Sequence, residues 1–373
     1  MFDCIIVGSG PAGATAGYHL AKGGYSVLII EKDALPRYKS CGGGVSPAVA
    51  NYFDFDLAPV IDNTVTGVKF TWKMGDSVTT LLNTSEPMWM VKRDVFDNFL
   101  VEKAKEQGAQ LQAGCTVTGI NWQGDLWEVV TTSEKFQAKY LIAADGGKGP
   151  MAGWLGFKPQ KQYVSVSLEV ETAVPEDKLH TAHFDFGSVK SGSVWNFPKS
   201  NGYSISAAVM GNTKGKAKDL QKALTNYAQK AGIDLSNSQF SEHVLCLWTE
   251  KQPLHGNNAL VVGEAGAMVD PLLGEGIRPA IATGMRAAEA IDKALAGKPE
   301  AIANYSQIVN DEWSSEFVLA QRLAGLFYGM LANPIYKIGV KQPEASQLMS
   351  KILCGEIKYS DVIEKAMKKL KPF

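Results

Sequence analysis

The chain has 373 residues, of which 45% are hydrophobic and 20% charged, as in an ordinary globular protein with room for about two domains and a tail. A formal net charge of -1 offers no excess of cations to neutralise phosphates, which argues against general nucleic-acid binding. The five cysteines have no C-x-x-C spacing, so we expect no disulfide framework, no metal site and a reducing, cytoplasmic location. No signal-peptide pattern is present, and the longest apolar stretch, residues 323–336, is too short to span a bilayer.

The first 32 residues have the pattern of a dinucleotide-binding strand–helix–strand unit. An apolar run of strand type precedes a glycine-rich turn at residues 8–13, and a helical stretch follows it. Gly8 would permit the tight turn, Gly10 the approach of backbone amides to a pyrophosphate, and Gly13 the close packing of the helix on the sheet. Glu31 ends the second apolar run, where an acid would accept hydrogen bonds from a ribose. The segment therefore predicts nucleotide binding.

The next part of the chain reads as a loop followed by alternating strands and one helix. Three successive glycines, residues 42–44, keep the segment after Glu31 free of regular structure. A helix is predicted over residues 93–107, where apolar residues recur at helical spacing and Gly108 follows. We expect strands at residues 65–70, 78–82, 111–117, 127–131 and 139–144.

From about residue 156 to residue 250 the pattern is rich in strands, with a helix over residues 217–231. A buried strand at residues 258–262 then resumes the first unit, and a long helix is predicted over residues 277–296. The predicted fold class is α/β, with a discontinuous Rossmann-like nucleotide-binding domain, an inserted antiparallel β-sheet substrate domain and a C-terminal helical tail. The predicted boundaries are residues 1–64, 88–155 and 251–298 for the nucleotide domain, 65–87 and 156–250 for the inserted cap, and 299–373 for the helical region.

The position in the chain at which the nucleotide-binding sheet resumes helps to decide between NAD and FAD as the cofactor. An NAD-dependent dehydrogenase would place its catalytic domain after a self-contained nucleotide unit, whereas here the sheet returns before Gly263-Glu264-Ala265. This order favours FAD. Further segments of note are KSCGGGVSP at residues 39–47, KRDVFD at 92–97, WNFP at 195–198, DPLLGEGI at 270–277 and CGEIKY at 354–359.

Taken in this order, these segments resemble those of flavoproteins with the p-hydroxybenzoate hydroxylase fold, and most of all the geranylgeranyl reductases. The resemblance implies an FAD-dependent enzyme that saturates isolated C=C bonds in an isoprenoid chain carried by a lipid, quinone or pigment. It also implies ferredoxin, another carrier or NAD(P)H as the electron donor. A flavin monooxygenase or halogenase is the alternative, because residues 192–198 are similar to the halogenase tryptophan motif apart from Ser193. A non-catalytic flavin-binding module is a third hypothesis.

The resemblance also implies roles for individual residues. Cys41, between Lys39 and the glycines, is the candidate catalytic proton source, and Trp195 and Phe197 are candidate substrate-binding residues. Trp72, Trp89 and Met210 are further candidates for an apolar wall. The candidate FAD-binding residues are Gly8, Gly10, Pro11, Ala12, Gly13, Glu31, Lys32, Cys41, Gly42, Gly44, Arg93, Val117, Asp145, Glu264, Gly274, Gly276 and Ile277.

The chain departs from the family pattern in ways that concern the cofactor. Glu264 stands where the family has aspartate, so its carboxylate lies one methylene further out. Gly149 and Ala152 replace a serine and an arginine that help relatives to seat FAD and NAD(P)H, which bears on NAD(P)H as a direct donor.

The C-terminal segment has an apolar stripe that includes Val362 and Ile363, surrounded by Lys365, Lys368, Lys369 and Lys371. A basic amphipathic helix of this kind either rests on an anionic membrane surface, here the inner face, or packs on its own domain with a solvated lysine face. The sequence leaves both alternatives open.

Overall fold

The computed structural model of the chain describes residues 1–211 and 215–370, without the side chains of residues 338 and 365–370. The described strands are, in chain order, β1 (Phe2–Val7), β2 (Val27–Ile30), β3 (Gly44–Val45), β4 (Asn63–Val65), β5 (Gly67–Trp72), β6 (Gly75–Leu81), β7 (Met88–Met90), β8 (Gln110–Gln112), β9 (Val117–Trp122), β10 (Trp127–Thr131), β11 (Lys135–Ala143), β12 (Tyr163–Glu171), β13 (Thr181–Phe186), β14 (Gly192–Lys199), β15 (Gly202–Val209), β16 (Ser238–Leu245), β17 (His255–Gly256) and β18 (Ala259–Val261). The described α-helices are α1 (Pro11–Lys22), α2 (Arg93–Glu106), α3 (Met151–Trp154), α4 (Glu176–Leu179), α5 (Ala217–Lys230), α6 (Ile277–Leu295), α7 (Ala301–Phe327), α8 (Ala332–Ile335), α9 (Pro343–Leu353) and α10 (Tyr359–Leu370).

The first sheet has a parallel centre in the order β18-β11-β1-β2-β8. Strand β2 is buried along its whole length and β1 along its last four residues, which explains their uninterrupted apolar sequences. The hairpin β9–β10 extends β11 on the antiparallel side. Because β18 pairs with β11, the chain returns to this sheet after residue 250 as the sequence predicts.

The second sheet has the order β16-β12-β15-β14-β13-β5-β6. Its pairs are antiparallel except for β13 and β5, which run parallel. The strands predicted from the sequence in this part of the chain are residues 163–171, 180–186, 193–197 and 203–210, so strand β16 is not among them. This strand lies at the sheet edge and reads Ser-Gln-Phe-Ser-Glu-His-Val-Leu, so its polar residues hide the alternation that marks a half-buried strand.

A third, small sheet has the order β3-β7-β4. Its strands belong to the chain segments that connect the two large sheets. The division of the chain into domains, and the boundaries that the sequence gives for them, stay predictions.

The C-terminal helices pack on both larger units. In α7 the buried Tyr305 donates a hydrogen bond to the carbonyl oxygen of Val261, 2.9 Å away. Val362 of α10 packs against a buried cluster, whereas Lys365, Lys368, Lys369 and Lys371 lie outside the described side chains. Among the described residues, we find no helix that is long and apolar enough to cross a membrane.

The packing of α1 against α6 requires a glycine at residue 284. A Cβ atom at Gly284 would lie 2.3 Å from the carbonyl oxygen of Ala12, whereas one at Gly325, also helical, would meet no atom within 4 Å. We therefore expect Gly284→Ala to lower the free energy of unfolding by about 1–3 kcal/mol, because the helices must move apart. Gly325→Ala should be neutral or stabilising by up to about 1 kcal/mol. Chemical denaturation of both variants would measure this difference, and equal stability of the two would contradict it.

Candidate active site

One cavity of about 560 Å³ lies between the two large sheets. It is lined by the glycine-rich turn, the loop at residues 37–46, the carboxyl end of the first sheet and the inner face of the second. Of the predicted FAD-binding, catalytic and substrate-binding residues, Gly13 alone is outside the lining. The cavity brings together Gly8, Gly10, Pro11, Ala12, Glu31, Lys32, Cys41, Gly42, Gly44, Arg93, Val117, Asp145, Trp195, Phe197, Glu264, Gly274, Gly276 and Ile277.

The glycine-rich turn has two closely packed positions and one open position. A Cβ atom at Gly8 would lie 2.4 Å from the carbonyl oxygen of Ala144, and one at Gly13 would lie 2.0 Å from that of Gly8. A Cβ atom at Gly10 would meet only an Arg37 nitrogen, 3.8 Å away. Gly10 precedes the first residue of α1, so the open space lies at a helix N-terminus, which suits a phosphate group.

The side chain of Glu31 is fixed by hydrogen bonds from the glycine-rich turn. Its Oε2 accepts hydrogen bonds from the backbone nitrogen and the hydroxyl of Ser9, at 2.9 and 2.7 Å, and lies 3.5 Å from Nε of Arg37. Burial opposes ionisation, but Arg37 and Ser9 outweigh it and hold the pKa of Glu31 below its ordinary value. The carboxylate is thus charged at neutral pH and available to hydroxyl donors.

Arg93 is fixed by Asp97 one turn further along α2. Its Nε and Nη2 donate to the two carboxylate oxygens, at 2.7 and 2.8 Å. Arg37 donates to the same carboxylate at 3.1 Å, so Asp97 orients two cationic side chains at the cavity wall.

Glu264 connects the first sheet to the second. Its Oε1 accepts a hydrogen bond from the backbone nitrogen of Cys246 at 3.2 Å, and its Oε2 lies 3.3 Å from Nε2 of His243. Lys39 Nζ lies 3.0 Å from Nδ1 of the same histidine. Burial lowers the pKa of Lys39 to about 8. Burial opposes ionisation of Glu264, but His243 and Lys39 hold its pKa below the ordinary value. His243 is not among the predicted site residues, because it lies on β16, a strand that the sequence pattern does not reveal.

Asp145 retains an unused polar atom in the cavity wall. One of its oxygens accepts from the backbone nitrogen of Met151 at 2.9 Å, while Oδ1 is buried without a hydrogen-bond partner in the described part of the chain. Burial raises the pKa of Asp145 to about 6. Together with the open space at Gly10, this oxygen fits a cavity built for a polar ligand.

The cysteine–glycine loop, residues 41–44, packs closely against the aromatic residues Trp195 and Phe197 of β14. A Cβ atom at Gly42 would lie 2.7 Å from Nε1 of Trp195 and 2.8 Å from Cδ2 of Phe197. Lys199, two residues further on the same face of the strand, donates to the carbonyl oxygens of Gly42 and Val91, at 2.7 and 2.9 Å. Cys41 is partly exposed and lines the cavity. Lys199 is a further positioning residue that the sequence analysis misses.

The far end of the cavity is apolar. Trp195 and Phe197 stand there with Met88, Phe184, Leu245, Leu273 and Leu353. The predicted wall residues Trp72, Trp89 and Met210 do not line it. Successive side chains of a strand point to opposite faces, so in β7 Met88 faces the cavity while Trp89 is buried in a separate core cluster. Trp72 packs on Tyr336, with ring centroids 5.8 Å apart, and Met210 lies behind Gly274.

The loop at residues 270–276 is anchored from the C-terminal helices. Asp270 accepts hydrogen bonds from the backbone nitrogens of Leu272 and Leu273, at 2.8 and 2.9 Å, and from the hydroxyl of Tyr359 at 2.8 Å. Burial raises the pKa of Asp270 to about 6. The C-terminal segment at residues 354–359 therefore supports the loop at residues 270–276, part of which lines the cavity.

The model of the family described as "FAD binding domain" matches residues 1–310. The chain belongs to this family. FAD is accordingly its cofactor, and the glycine-rich turn, Glu31 and the unpaired Asp145 oxygen fit that group. The predicted FAD-binding residues share the cavity, but their individual roles stay predictions.

Relatives of this chain align with it over at least three quarters of both lengths. An uncharacterized protein of Methanosarcina barkeri is 31% identical over 79% of this chain and 75% of its own. A digeranylgeranylglycerophospholipid reductase of Methanocaldococcus jannaschii is 27% identical over 79% of this chain and 78% of its own. A menaquinone reductase of Mycobacterium tuberculosis is 26% identical over 86% and 83%. The resemblance to the geranylgeranyl reductases is thus confirmed.

Solved structures confirm the predicted fold class. A geranylgeranyl bacteriochlorophyll reductase-like protein of Thermoplasma acidophilum superposes with a TM-score of 0.84 and 21% identity, over 98% of both chains. The flavin-dependent brominase Bmp2 superposes with a TM-score of 0.70 and 20% identity, over 99% of both chains. At these identities the similarity concerns the fold alone.

The open position in the glycine-rich turn yields a test of the cofactor site. We expect Gly10→Val to give a folded but colourless protein, because the new side chain would fill the space next to the α1 N-terminus. Gly119→Val in β9 is the matched control, since a Cβ atom there meets nothing within 4 Å, and it should remain yellow. Visible absorbance and circular dichroism measure cofactor content and folding. A yellow Gly10→Val protein would contradict the placement.

The pKa of Asp270 predicts how stability depends on pH. A folded-state pKa of about 6 lies above the ordinary 3.8, so the folded protein binds more protons than the unfolded one and loses stability as the pH rises through this window. Asp270→Asn should remove this loss. At about pH 7 the variant should be more stable than the wild type by about 2 kcal/mol, and at about pH 4 the two should be equal.

Urea denaturation across this pH range measures the difference. Asp125→Asn, at an exposed position, serves as the control and should follow the wild type throughout. A constant difference between Asp270→Asn and the wild type at all pH values would refute the assignment of this pH dependence to Asp270.

Proposed function

We propose that the protein is an FAD-dependent reductase that saturates isolated C=C bonds of an isoprenoid chain carried by a lipid, quinone or pigment. The observation that carries the proposal is the single cavity that joins the glycine-rich turn to an apolar aromatic end. Such a cavity suits an enzyme whose cofactor has a phosphate-bearing tail and whose substrate is a hydrocarbon chain. The names of the relatives, which are reductases of a prenyl lipid and of menaquinone, support the same substrate class.

In this proposal the predicted residues hold FAD along the cavity. The turn at Gly8 and Gly10 and the N-terminus of α1 bind its phosphates, and Glu31 binds a ribose hydroxyl. Arg93 and Glu264 bind further along, and the loop containing Gly274 supports the other end. Bound FAD supplies the reducing equivalents.

The apolar end positions the alkene and excludes water. An isolated double bond carries no carbonyl through which a protein could polarise it, so positioning must provide much of the catalysis. Phe184 and Phe197 form an edge-to-face pair with ring centroids 5.5 Å apart, which makes this wall rigid. With Trp195 and Leu273 it presents a surface on which a chain of isoprene units can lie in one orientation.

Cys41 holds the proton that the second carbon requires. Its thiol lines the cavity beside the aromatic residues. Arg93, Lys39 and Lys199 all interact electrostatically with Cys41, so this residue lies among cationic side chains. General acid catalysis of this kind contributes about a hundredfold or more to a rate.

The proposal also covers the electron donor, the location of the protein and its domains. We assign the electrons to ferredoxin, another carrier or NAD(P)H, and the protein to the cytoplasm with peripheral contact to the inner membrane face. Prenyl lipids and quinones reside in membranes, and the basic C-terminal segment suits an anionic surface. For the nucleotide-binding, cap and helical regions we propose the boundaries given from the sequence.

Anaerobic reoxidation of the flavin tests the function. The dithionite-reduced holoprotein should regain its oxidised absorbance when a geranylgeranyl-bearing quinone or lipid is added, and the product should gain two hydrogen atoms for each bond reduced. The same compound with a saturated chain is the control and should leave the flavin reduced. Rapid oxygen consumption coupled to an oxygenated or halogenated product would instead support the monooxygenase or halogenase alternative.

The role of Cys41 is tested separately. Cys41→Ala should retain FAD but reoxidise about a hundredfold more slowly with the prenyl substrate, because the proton source is lost. Cys115→Ala is the control, since Cys115 also lines the cavity but has no assigned role. Unchanged turnover by Cys41→Ala would reduce Cys41 to a packing residue.

A further inference from the structure

The face of the second sheet that borders the cavity changes character from one strand to the next. Strand register places Trp195 of β14 opposite Ser206 of β15, Ser206 opposite Ser167 of β12, and Ser167 opposite Ser241 of β16. All four residues line the cavity. The aromatic wall therefore continues sideways into a row of three serines, which we call the serine row (Ser206, Ser167 and Ser241).

Two hydroxyls of this row bond to each other. Ser167 Oγ and Ser206 Oγ are 2.8 Å apart, and the two residues are 2% and 1% exposed. A pair of hydroxyls has two protons, and one hydrogen bond between them uses only one. The second proton remains available for an acceptor in the cavity.

A neighbouring serine on the same strand differs in this respect. Ser165 also lines the cavity, but its hydroxyl donates to the carbonyl oxygen of Ala207 at 3.2 Å. Its proton is satisfied within the sheet. The Ser167–Ser206 pair is thus distinguished by its hydrogen bonding and not by the mere presence of serine.

We propose that the Ser167–Ser206 pair binds an uncharged oxygen atom of the group that carries the isoprenoid chain, such as a quinone carbonyl, a hydroxyl or an ether oxygen. This inference rests on the proposed function, since it assumes that the chain lies against Trp195 and Phe197. Neighbouring strands are about 4.8 Å apart, so Ser206 is one strand and Ser167 two strands from the tryptophan. A chain on the aromatic wall would place its head group over the pair.

The surroundings favour an uncharged group over an anionic one. Ser204, two residues before Ser206 on the same face of β15, donates to the carboxyl group of the half-buried Glu169 at 2.8 Å. A carboxyl group this close disfavours an anion. On the other side, Nζ of Lys39 lies 3.0 Å from Nδ1 of His243, and Nε2 of that histidine lies 3.3 Å from Glu264. A neutral hydroxyl donor then matches a neutral acceptor.

Ligand binding to the oxidised holoprotein tests the proposal without turnover. The probes are a naphthoquinone with a geranylgeranyl chain and the hydrocarbon with the same chain and no head group. Quenching of tryptophan fluorescence gives the two dissociation constants, and visible absorbance gives the FAD content. The variants are Ser167→Ala, Ser206→Ala, the double variant and the matched control Ser165→Ala.

The double variant should bind the quinone about tenfold more weakly and the hydrocarbon unchanged, because one hydrogen bond is lost. Each single variant should have a smaller effect, since the remaining hydroxyl can still donate. Ser165→Ala should bind both probes as the wild type does, and all variants should retain FAD.

Quinone binding by the double variant equal to that of the wild type would overturn the proposal, as would equal weakening of both probes or failure of the wild type to bind the quinone. Loss of FAD in the double variant would assign the pair to the cofactor and overturn it as well. Absence of turnover with the binding difference retained would count against the reductase function while supporting the role of the pair.

Discussion

The cavity depends on the contact between the backbone of residues 42–44 and the aromatic face of β14. Glycine at residue 42 lets this backbone approach Trp195 and Phe197 more closely than any side chain would allow. The buried ammonium of Lys199 then fixes the loop through the Gly42 carbonyl. Because the loop belongs to the nucleotide-binding part and β14 to the second sheet, this contact sets the distance between them.

The arrangement gives the cavity two ends of opposite chemistry. Near the glycine-rich turn the wall consists of backbone amides, Glu31 and the unpaired oxygen of Asp145, which suit a phosphate-bearing cofactor. At the other end the aromatic wall excludes water, and Cys41 stands between the two. The serine row adds a polar margin to the apolar end. A reductase acting on a hydrocarbon chain with an oxygen-bearing head would use each of these features.

Sequence reasoning was most successful where chemistry is local along the chain. The glycine-rich turn and Glu31 are recognisable because their spacing reflects a single strand–helix–strand unit. Prediction from the sequence was least successful for contacts between paired strands that are distant in the chain. Edge strand β16 has too little apolar alternation to be recognised, so His243 was missed, and the pairing of Ser167 with Ser206 depends on a register that no local pattern contains. Trp89 was predicted as a wall residue but lies in a separate core cluster, and a strand of three residues gives no usable period from which to infer its face. The contact between Tyr359 and Asp270 spans 89 residues and could not be read from either motif alone.

The central claim is that the protein reduces isoprenoid chains, and the most direct measurement is mass spectrometry of the lipids, quinones and pigments of cells with and without it. The account predicts one class of compound whose chains gain the mass of two hydrogen atoms per double bond only when the protein is present. The gain should disappear when Cys41→Ala replaces the wild type. Identical chain saturation in cells with and without the protein would contradict the claim.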